Sequence, residues 1–318
     1  MTPDQRALMN EHTQLYGKLR ESCHLLDNAQ QDIEDYVKAV DSELEKGRQI
    51  QKNFLPNQIP KLLDWEIDAC FYPARQVAGD FYDVFMLPGD YVGLVIADVC
   101  DKGVGAALFM ALFRSLIRVF SGQTRLDGFS IIGNDEGLRS LTNLPETIDL
   151  NQINALKAVA LTNNYIAQEH SDMNMFASLF FGVLNPASGC LTYINGGHPP
   201  LFIVGDSEVK ASLKYTGPVV GVIPNTKFEV QQVQLEVGDI LIGYTDGVTE
   251  ARAPNGEFFT LQRLLSAIEQ PTSSASDLIE HIKTSLFNHI DNAQHFDDIT
   301  MLAVQRKSVT EGVHHIES

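Results

Sequence analysis

The stretch that decides the fold is Ile96-Ala-Asp-Val-Cys-Asp-Lys-Gly-Val-Gly-Ala-Ala-Leu108. The run before its first acid, 91–97, is rich in apolar and β-branched residues and has the length of a buried strand. The run that follows, from about 103 to 120, is apolar with helical spacing. Two acids, Asp98 and Asp101, therefore stand where a buried strand ends, and an unpaired buried carboxylate is costly there.

Three other places in the chain repeat this arrangement. Gly79-Asp80 precedes one apolar segment, Asp246 follows the run 239–244, and Asp297-Asp298 opens the run 299–304. Four acid-bearing strand ends without a comparable set of basic partners predict a site for Mg²⁺ or Mn²⁺, which prefer oxygen ligands. Any one of these aspartates taken alone is as well explained as a turn residue or a helix cap.

Composition sets limits on the class of protein. The chain has 318 residues, 44% of them hydrophobic and 20% charged, which is typical of a globular protein. A net charge of −18 argues against a nucleic-acid binder and against adsorption to anionic membranes. Four widely spaced cysteines indicate neither a zinc site nor a disulfide framework. No signal peptide is recognised, and Arg114 and Arg118 interrupt the longest apolar run, so we expect a cytoplasmic protein that does not enter a membrane.

The N-terminal segment from 5 to about 55 contains no proline and carries a heptad pattern. Leu19, Leu26, Ile33 and Val40 recur at seven-residue steps, with mostly polar residues between them. The pattern predicts a helical hairpin or a coiled coil, and we expect homodimerisation through it. Packing of the helix against its own domain is the alternative.

From 59 onward, strands run in meanders with helices interposed in pairs, which predicts an α+β protein and not a doubly wound parallel sheet. Among these elements we predict strands at 78–87 and 228–235 and a helix at Leu150–Glu169. The predicted organisation is a helical segment with a linker at 1–58, one domain at 59–307 and a flexible tail at 308–318. The weakly patterned stretch 121–147 is expected to be a loop or insertion, with room for a short helix.

Five motifs together resemble one family. In chain order they are Val77-Ala-Gly-Asp-Phe-Tyr-Asp83, Ala97-Asp-Val-Cys-Asp-Lys-Gly-Val-Gly-Ala-Ala107, Asn195-Gly-Gly-His-Pro-Pro200, Tyr244-Thr-Asp-Gly-Val-Thr-Glu250 and Asp297-Asp-Ile-Thr300. Their order and spacing are similar to those of the PPM-type (type 2C) metal-dependent serine/threonine phosphatases, and within them to the bacterial SpoIIE/RsbU branch. The resemblance covers roughly residues 50 to 306.

The resemblance implies a four-layer α-β-β-α sandwich of two antiparallel sheets with two Mn²⁺ or Mg²⁺ ions at one end. Carried over by motif, Asp80 would bridge both ions and Asp98 would bind one of them, helped by the backbone carbonyl of Val99. Asp246 and Asp297 would hold the other side. A metal-activated water would attack phosphorus without a covalent phosphoenzyme.

Other residues of the motifs have less defined roles. Asp298 is the less favoured ligand of its pair, because the family places the metal-binding acid first. Asp101 departs from the family's usual motif and is interpreted as a turn former in preference to an additional acid of the site. Arg75 has the spacing of a phosphate-binding arginine in eukaryotic relatives. His198 is interpreted as a packed histidine that supports a turn, and a general acid is the alternative.

The implied function is removal of phosphate from serine or threonine of a protein partner. The resemblance implies an anti-sigma-factor antagonist of the STAS type, in a bacterial partner-switching pathway, as the substrate. We expect the N-terminal helices to dimerise and to receive an upstream regulatory protein. Two other classes stay open: a phosphoprotein-binding scaffold without catalysis, and a metal-dependent nucleotide enzyme, against which the absence of a P-loop argues weakly.

Overall fold

A computed structural model describes residues 3–56, 58–122, 135–293 and 296–307. Its contacts divide the chain into two units, Met1–Ile50 and Gln51–Ser318. The predicted linker that ends at 58 and the predicted tail at 308–318 stay predictions, and the tail lies outside the described residues. None of the helices in the described part of the chain is long and apolar enough to cross a membrane.

Helix α1, Pro3–Lys52, is one continuous helix of 50 residues, so the segment is not a helical hairpin. The heptad residues Leu19, Leu26 and Ile33 are each at least 60% exposed. Pairs of polar side chains one turn apart, such as Arg48 with Glu45, support the helix locally. The first unit is therefore an amphipathic helix with an exposed apolar stripe.

The second unit contains twelve strands among the described residues, in chain order β1 to β12. Their bounds are Trp65–Tyr72, Phe81–Leu87, Tyr91–Val99, Leu141–Thr142, Ala177–Leu184, Cys190–Gly196, Leu201–Gly205, Glu208–Leu213, Phe228–Glu229, Gln231–Gln234, Ile240–Tyr244 and Ile299–Arg306. The helices of this unit are α2 to α7, at Val104–Phe120, Asp135–Arg139, Leu150–Glu169, Asp246–Thr249, Thr260–Ile268 and Ala275–Ile290.

Ten of these strands form two five-stranded antiparallel sheets. One has the order β1-β12-β11-β7-β8 and the other β10-β6-β5-β3-β2, while β4 and β9 form a small parallel pair. Three apolar cores separate the layers: one beneath α2 and α4, one between the sheets, and one beneath α6 and α7. The predicted α-β-β-α sandwich is confirmed.

The central strand β3 shows why these layers form. Val95 and Ala97 face the core under α2 and α4, whereas Leu94 and Ile96 face the core between the sheets. Successive side chains of a strand point to opposite faces, so a strand covered on both sides is apolar at every position. The run interpreted from sequence as a buried strand is buried in this way.

The structure departs from the sequence-based prediction where pairing is not local. The stretch 228–235, predicted as one strand, is broken at Val230 because β9 pairs with β4 and β10 pairs with β6. The stretch predicted as a strand from 78 begins only at Phe81, since residues 78–80 form a loop. Strand β8 and helix α5 were not predicted, and residues 123–134 of the predicted insertion lie outside the described part.

A buried ion cluster fixes α2 on β2. Asp83 is 1% exposed and lies 2.9 Å from Arg114 Nε and 2.5 Å from Arg118 Nε. Arg118 also packs over the ring of Phe85. This acid of the first motif therefore serves the attachment of α2, and the two arginines that interrupt the apolar run are its partners.

Candidate metal centre

The acids of the motifs meet at one end of the sandwich. Strands β2 and β3 are antiparallel, with Phe81 opposite Ala97, so the start of β2 lies beside the end of β3. Strands β11 and β12 are paired in the same manner, with Tyr244 opposite Met301. Each sheet thus contributes two neighbouring strand ends, and each strand end carries an acid.

Asp80 connects the two sheets. Its side chain is 2% exposed, and its Oδ2 accepts hydrogen bonds from Thr245 Oγ1 at 2.7 Å and Thr300 Oγ1 at 2.6 Å. The backbone N–H of Thr300 donates in turn to Thr245 Oγ1. A buried carboxylate from one sheet is therefore held by two hydroxyls from the other.

Burial and mutual repulsion raise the pKa values of four of these acids, Asp80, Asp98, Asp246 and Asp298. Burial and the charges of Asp246 and Asp297 raise the pKa of Asp98 to about 7. Burial and Asp297 raise the pKa of Asp246 to about 6, although Lys102 acts in the opposite direction. Burial and Asp98 raise the pKa of Asp80 well above its usual range. Such a cluster is destabilised by its own charge and favours a bound cation.

The donor set fits divalent metal ions in chemistry, since it consists of carboxylate oxygens. Within the described residues, no three histidine, cysteine, aspartate or glutamate side chains yet converge tightly enough to hold an ion. Two of the acids have other partners: Asp80 has its two threonines, and Asp297 has Lys102 at 2.7 Å. The donor chemistry and the mutual repulsion of the acids therefore fit a divalent cation.

The cluster opens into a cleft of about 580 Å³. The residues that line it are Asp98, Val99, Cys100, Asp101, Lys102, Phe176, Ser178, Gly197, His198, Pro199, Pro200, Tyr215, Asp246 and Asp297. A larger groove of about 850 Å³ runs between α6 and α7 and contains none of the motif acids. The smaller cleft is the candidate site because Asp98 and Asp246, whose pKa values are raised, line it together with Asp297.

Asp298 holds the loop that carries Asp80. Its carboxylate accepts hydrogen bonds from the backbone N–H groups of Ala74 at 2.7 Å and Gly79 at 2.9 Å. Asp298 is 8% exposed and, like Asp80, is not among the residues that line the cleft. The second acid of the pair is thus a positioning residue for the first motif.

Two glycines permit close backbone approach at the centre. A Cβ at Gly247 would lie 1.9 Å from the carbonyl oxygen of Asp298, and one at Gly79 would lie 2.7 Å from that of Val99. The Gly79 contact places the first motif against the carbonyl that the resemblance assigns to metal binding. Only glycine fits where a backbone must come this close.

The remaining predicted residues have distinct positions. Arg75 is exposed beside the start of α2, where its Nη1 would be 3.7 Å from a Cβ at position 103, and it does not line the cleft. His198 is 1% exposed with Nδ1 3.0 Å from Ser178 Oγ, and burial lowers its pKa to about 3. A neutral packed histidine agrees with the turn interpretation. Asp101 has φ 70° and bonds the N–H of Lys102, as a turn former does.

Sequence reasoning missed three partners of the acids, and it missed the role of Asp298. Thr245 and Thr300 stand inside the quoted motifs, next to Asp246 and two residues after Asp298, and this adjacency was the available signal. Lys102 also stands inside a motif, but its partner Asp297 belongs to the last motif and is distant along the chain. Asp298 was recognised as the less favoured ligand, but its hydrogen bonds to the loop that carries Asp80 were not predicted.

Comparisons with known proteins identify relatives of this chain. Residues 88–307 match the family model described as Stage II sporulation protein E (SpoIIE). The chain is 51% identical to Protein IcfG of a Synechocystis species over 87% of its own length but only 43% of that protein, so it spans less than half of this relative. It is 28% identical to the phosphoserine phosphatase RsbU of Bacillus subtilis over 92% of the chain and 76% of RsbU.

A solved structure shows the same architecture. The SiaA-PP2C domain of Pseudomonas aeruginosa superposes with a TM-score of 0.64 at 18% identity, covering 84% of this chain and 97% of that domain. At this identity the likeness concerns the fold alone. Because the family model spans well over half of the chain, the chain belongs to the family described as Stage II sporulation protein E (SpoIIE).

Proposed function

We propose that this chain is a metal-dependent protein phosphatase that acts on phosphoserine or phosphothreonine. The observation that carries the proposal is the cluster of acids at four strand ends, three of which, Asp98, Asp246 and Asp297, line the cleft. Burial and mutual repulsion raise the pKa values of Asp80, Asp98 and Asp246. The resemblance of the motifs and the family membership support the reaction class.

Asp80, Asp98, Asp246 and Asp297 would hold two Mn²⁺ or Mg²⁺ ions, with the carbonyl of Val99 as a further ligand. When bound, the ions supply Lewis acidity for activating water and positive charge that offsets the phosphate. The chain itself orients Asp80 through the hydroxyls of β11 and β12 and limits the entry of water through burial. No residue is required to bond covalently to phosphorus.

The substrate that we propose is an anti-sigma-factor antagonist of the STAS type. The name of RsbU, a phosphoserine phosphatase, supports a phosphoserine substrate, and the motif resemblance supports the STAS class. The test is release of phosphate from a serine-phosphorylated STAS protein, compared with its phosphothreonine form.

The decisive first experiment measures phosphate release from an aryl phosphate with and without Mn²⁺. We expect Mn²⁺-dependent activity in the wild type and its loss in Asp246→Asn, because the variant removes a carboxylate of the cluster. Asp206→Asn is the matched control, since the Asp206 side chain is 97% exposed and outside the cleft. Activity that survives in Asp246→Asn would contradict the assignment of this acid, and a folded wild type that binds Mn²⁺ without hydrolysing phosphate would favour a scaffold.

We further propose that the chain dimerises through α1. The exposed apolar stripe at Leu19, Leu26 and Ile33 supports this, since a second copy of the helix would cover it as a coiled coil. Leu26→Lys combined with Ile33→Lys is expected to shift the molar mass in light scattering from dimer to monomer. An unchanged mass would contradict dimerisation through this stripe.

The same helix is proposed to control activity and to receive an upstream regulator. Gln51, near its C-terminal end, is 6% exposed and makes two hydrogen bonds with the backbone of Ala78. Its Nε2 donates to the Ala78 carbonyl at 2.7 Å, and its Oε1 accepts the Ala78 N–H at 2.9 Å. Ala78 lies two residues before Asp80, so a change at this end of α1 reaches the metal-binding loop.

Gln51→Leu is expected to lower the free energy of unfolding by about 1–3 kcal/mol, because it leaves two backbone groups unpaired in a buried site. It should also lower Mn²⁺-dependent turnover. Gln49→Leu is the control, since Gln49 is exposed and bonds only within the helix. Deletion of residues 1–45 tests the wider proposal, which fails if both oligomeric state and turnover are unchanged.

A further inference from the structure

Lys102 is the one lysine or arginine among the described residues that line the cleft. Its Nζ lies 2.7 Å from Asp297 Oδ2 and donates a hydrogen bond to the carbonyl oxygen of Phe296 at 2.6 Å. Its backbone is fixed in turn by Asp101, whose Oδ1 accepts the Lys102 N–H at 2.8 Å. An ammonium group is therefore held against one member of the acid cluster.

We propose that Lys102 has two successive partners: the carboxylate of Asp297 in the metal-free protein, and the phosphate group of the substrate once divalent cations are bound. The proposal rests on the proposed function, since it assigns a phosphate-binding residue to the same cleft. In this proposal Lys102 neutralises the acids when no metal is bound and contacts the substrate when metal is bound.

The first partner follows from the geometry of the ion pair. Asp297 Oδ2 at 2.7 Å from Nζ is already engaged by a positive charge. A divalent cation at that oxygen would repel the ammonium over a few ångströms. Binding of the cation therefore weakens the ion pair, so Lys102 competes with the metal for Asp297.

The second partner follows from what the cleft offers a phosphate. The side chain of Lys102 is 34% exposed, and its flexible stem lets the ammonium turn toward solvent when Asp297 is taken. A lysine binds phosphate as a point charge, which tolerates such movement. Arg75 is exposed outside the lining of the cleft, so in the described structure Lys102 is the cation placed to meet a phosphate monoester.

A calorimetric titration with Mn²⁺ alone tests the exchange at Asp297. Lys102→Met removes the ammonium with little change in length, and we expect Mn²⁺ to bind about tenfold more tightly, as loss of a competing ion pair implies. Lys210→Met is the matched control, because Lys210 makes an ion pair of the same length, 2.7 Å, with Asp239 outside the cleft. Mn²⁺ affinity that is the same in Lys102→Met as in the wild type would overturn the proposal.

Inhibition by inorganic phosphate at saturating Mn²⁺ tests the second partner. In Lys102→Met we expect the inhibition constant and the KM for an aryl phosphate to rise about tenfold, with a smaller change in kcat, because one charge-assisted contact is lost. Lys102→Arg should retain most of the phosphate affinity. Unchanged phosphate inhibition in Lys102→Met overturns the substrate contact. A wild type without Mn²⁺-dependent hydrolysis overturns the proposed function instead, and the titration, which needs no turnover, still decides the exchange.

Discussion

Asp98→Asn is expected to raise the Tm of the metal-free protein while lowering Mn²⁺-dependent phosphatase activity by ~10³-fold. The activity falls because the variant removes a carboxylate of the metal centre, and metal ions contribute several kcal/mol to such reactions, at about 1.4 kcal/mol for each factor of ten. The Tm rises because the folded wild type carries a charge that burial, Asp246 and Asp297 all disfavour. One substitution thus separates the effect of the acid on stability from its effect on activity.

The pKa of Asp98 also determines how the free energy of unfolding changes with pH. The pKa of Asp98 is about 7 in the folded protein, against about 3.9 for an unfolded chain. Between these values the folded state holds the extra proton, so the free energy of unfolding falls as pH rises from 4 to 7. We therefore expect the metal-free wild type to be more stable at pH 5 than at pH 8, and this slope to be shallower in Asp98→Asn.

Calorimetry in a chelator at both pH values, followed by addition of Mn²⁺, measures these effects. Mn²⁺ should raise the Tm of the wild type at pH 8 more than that of the variant, since binding stabilises the state that binds. Asp206→Asn, outside the cleft, serves as the control for a lost surface charge. A variant less stable than the wild type at pH 8 without metal would contradict the charge-repulsion account.

Much of the fold could be predicted because its signals are local. The helix Leu150–Glu169 was predicted with these bounds, and the structure shows a capping box between Asp149 and Gln152 at its start. What could not be predicted depends on partners distant in sequence. The break at Val230 is one example. The backbone N–H of Val230 donates a hydrogen bond to the carbonyl of Thr142 on β4, and no periodicity within 228–235 indicates that contact.

The candidate site, too, could be predicted from the sequence only in part. The four acids of the cluster were recognised from motifs, and the structure brings them to one end of the sandwich; their role as metal ligands stays a prediction. Sequence alone could not show that Asp298 fastens the Asp80 loop or that Lys102 pairs with Asp297, because each contact joins residues about 200 positions apart. These interactions come from the packing of the two sheets, which no single motif encodes.

Gly247→Ala is expected to be among the most damaging single-methyl changes in the domain. The added Cβ would lie 1.9 Å from the carbonyl oxygen of Asp298, and a backbone group cannot turn aside as a flexible side chain can. We expect the free energy of unfolding to fall by ~3 kcal/mol or more, at the upper end of overpacking effects. The shift would also move Asp297 relative to Asp246, so Mn²⁺ affinity should fall with stability.

Gly105→Ala is the matched control, because a Cβ at that position of α2 meets nothing within 4 Å. Alanine is a better helix former than glycine by about 0.5–1 kcal/mol, so this variant should be as stable as the wild type or slightly more stable. Urea unfolding and Mn²⁺ titration of both variants measure the two effects. Equal stability and Mn²⁺ affinity in Gly247→Ala and Gly105→Ala would show that the approach of Asp298 to residue 247 does not constrain the centre. Loss of stability and affinity in Gly247→Ala alone would show that the Tyr-Thr-Asp-Gly motif needs its glycine for backbone contact as well as its acid.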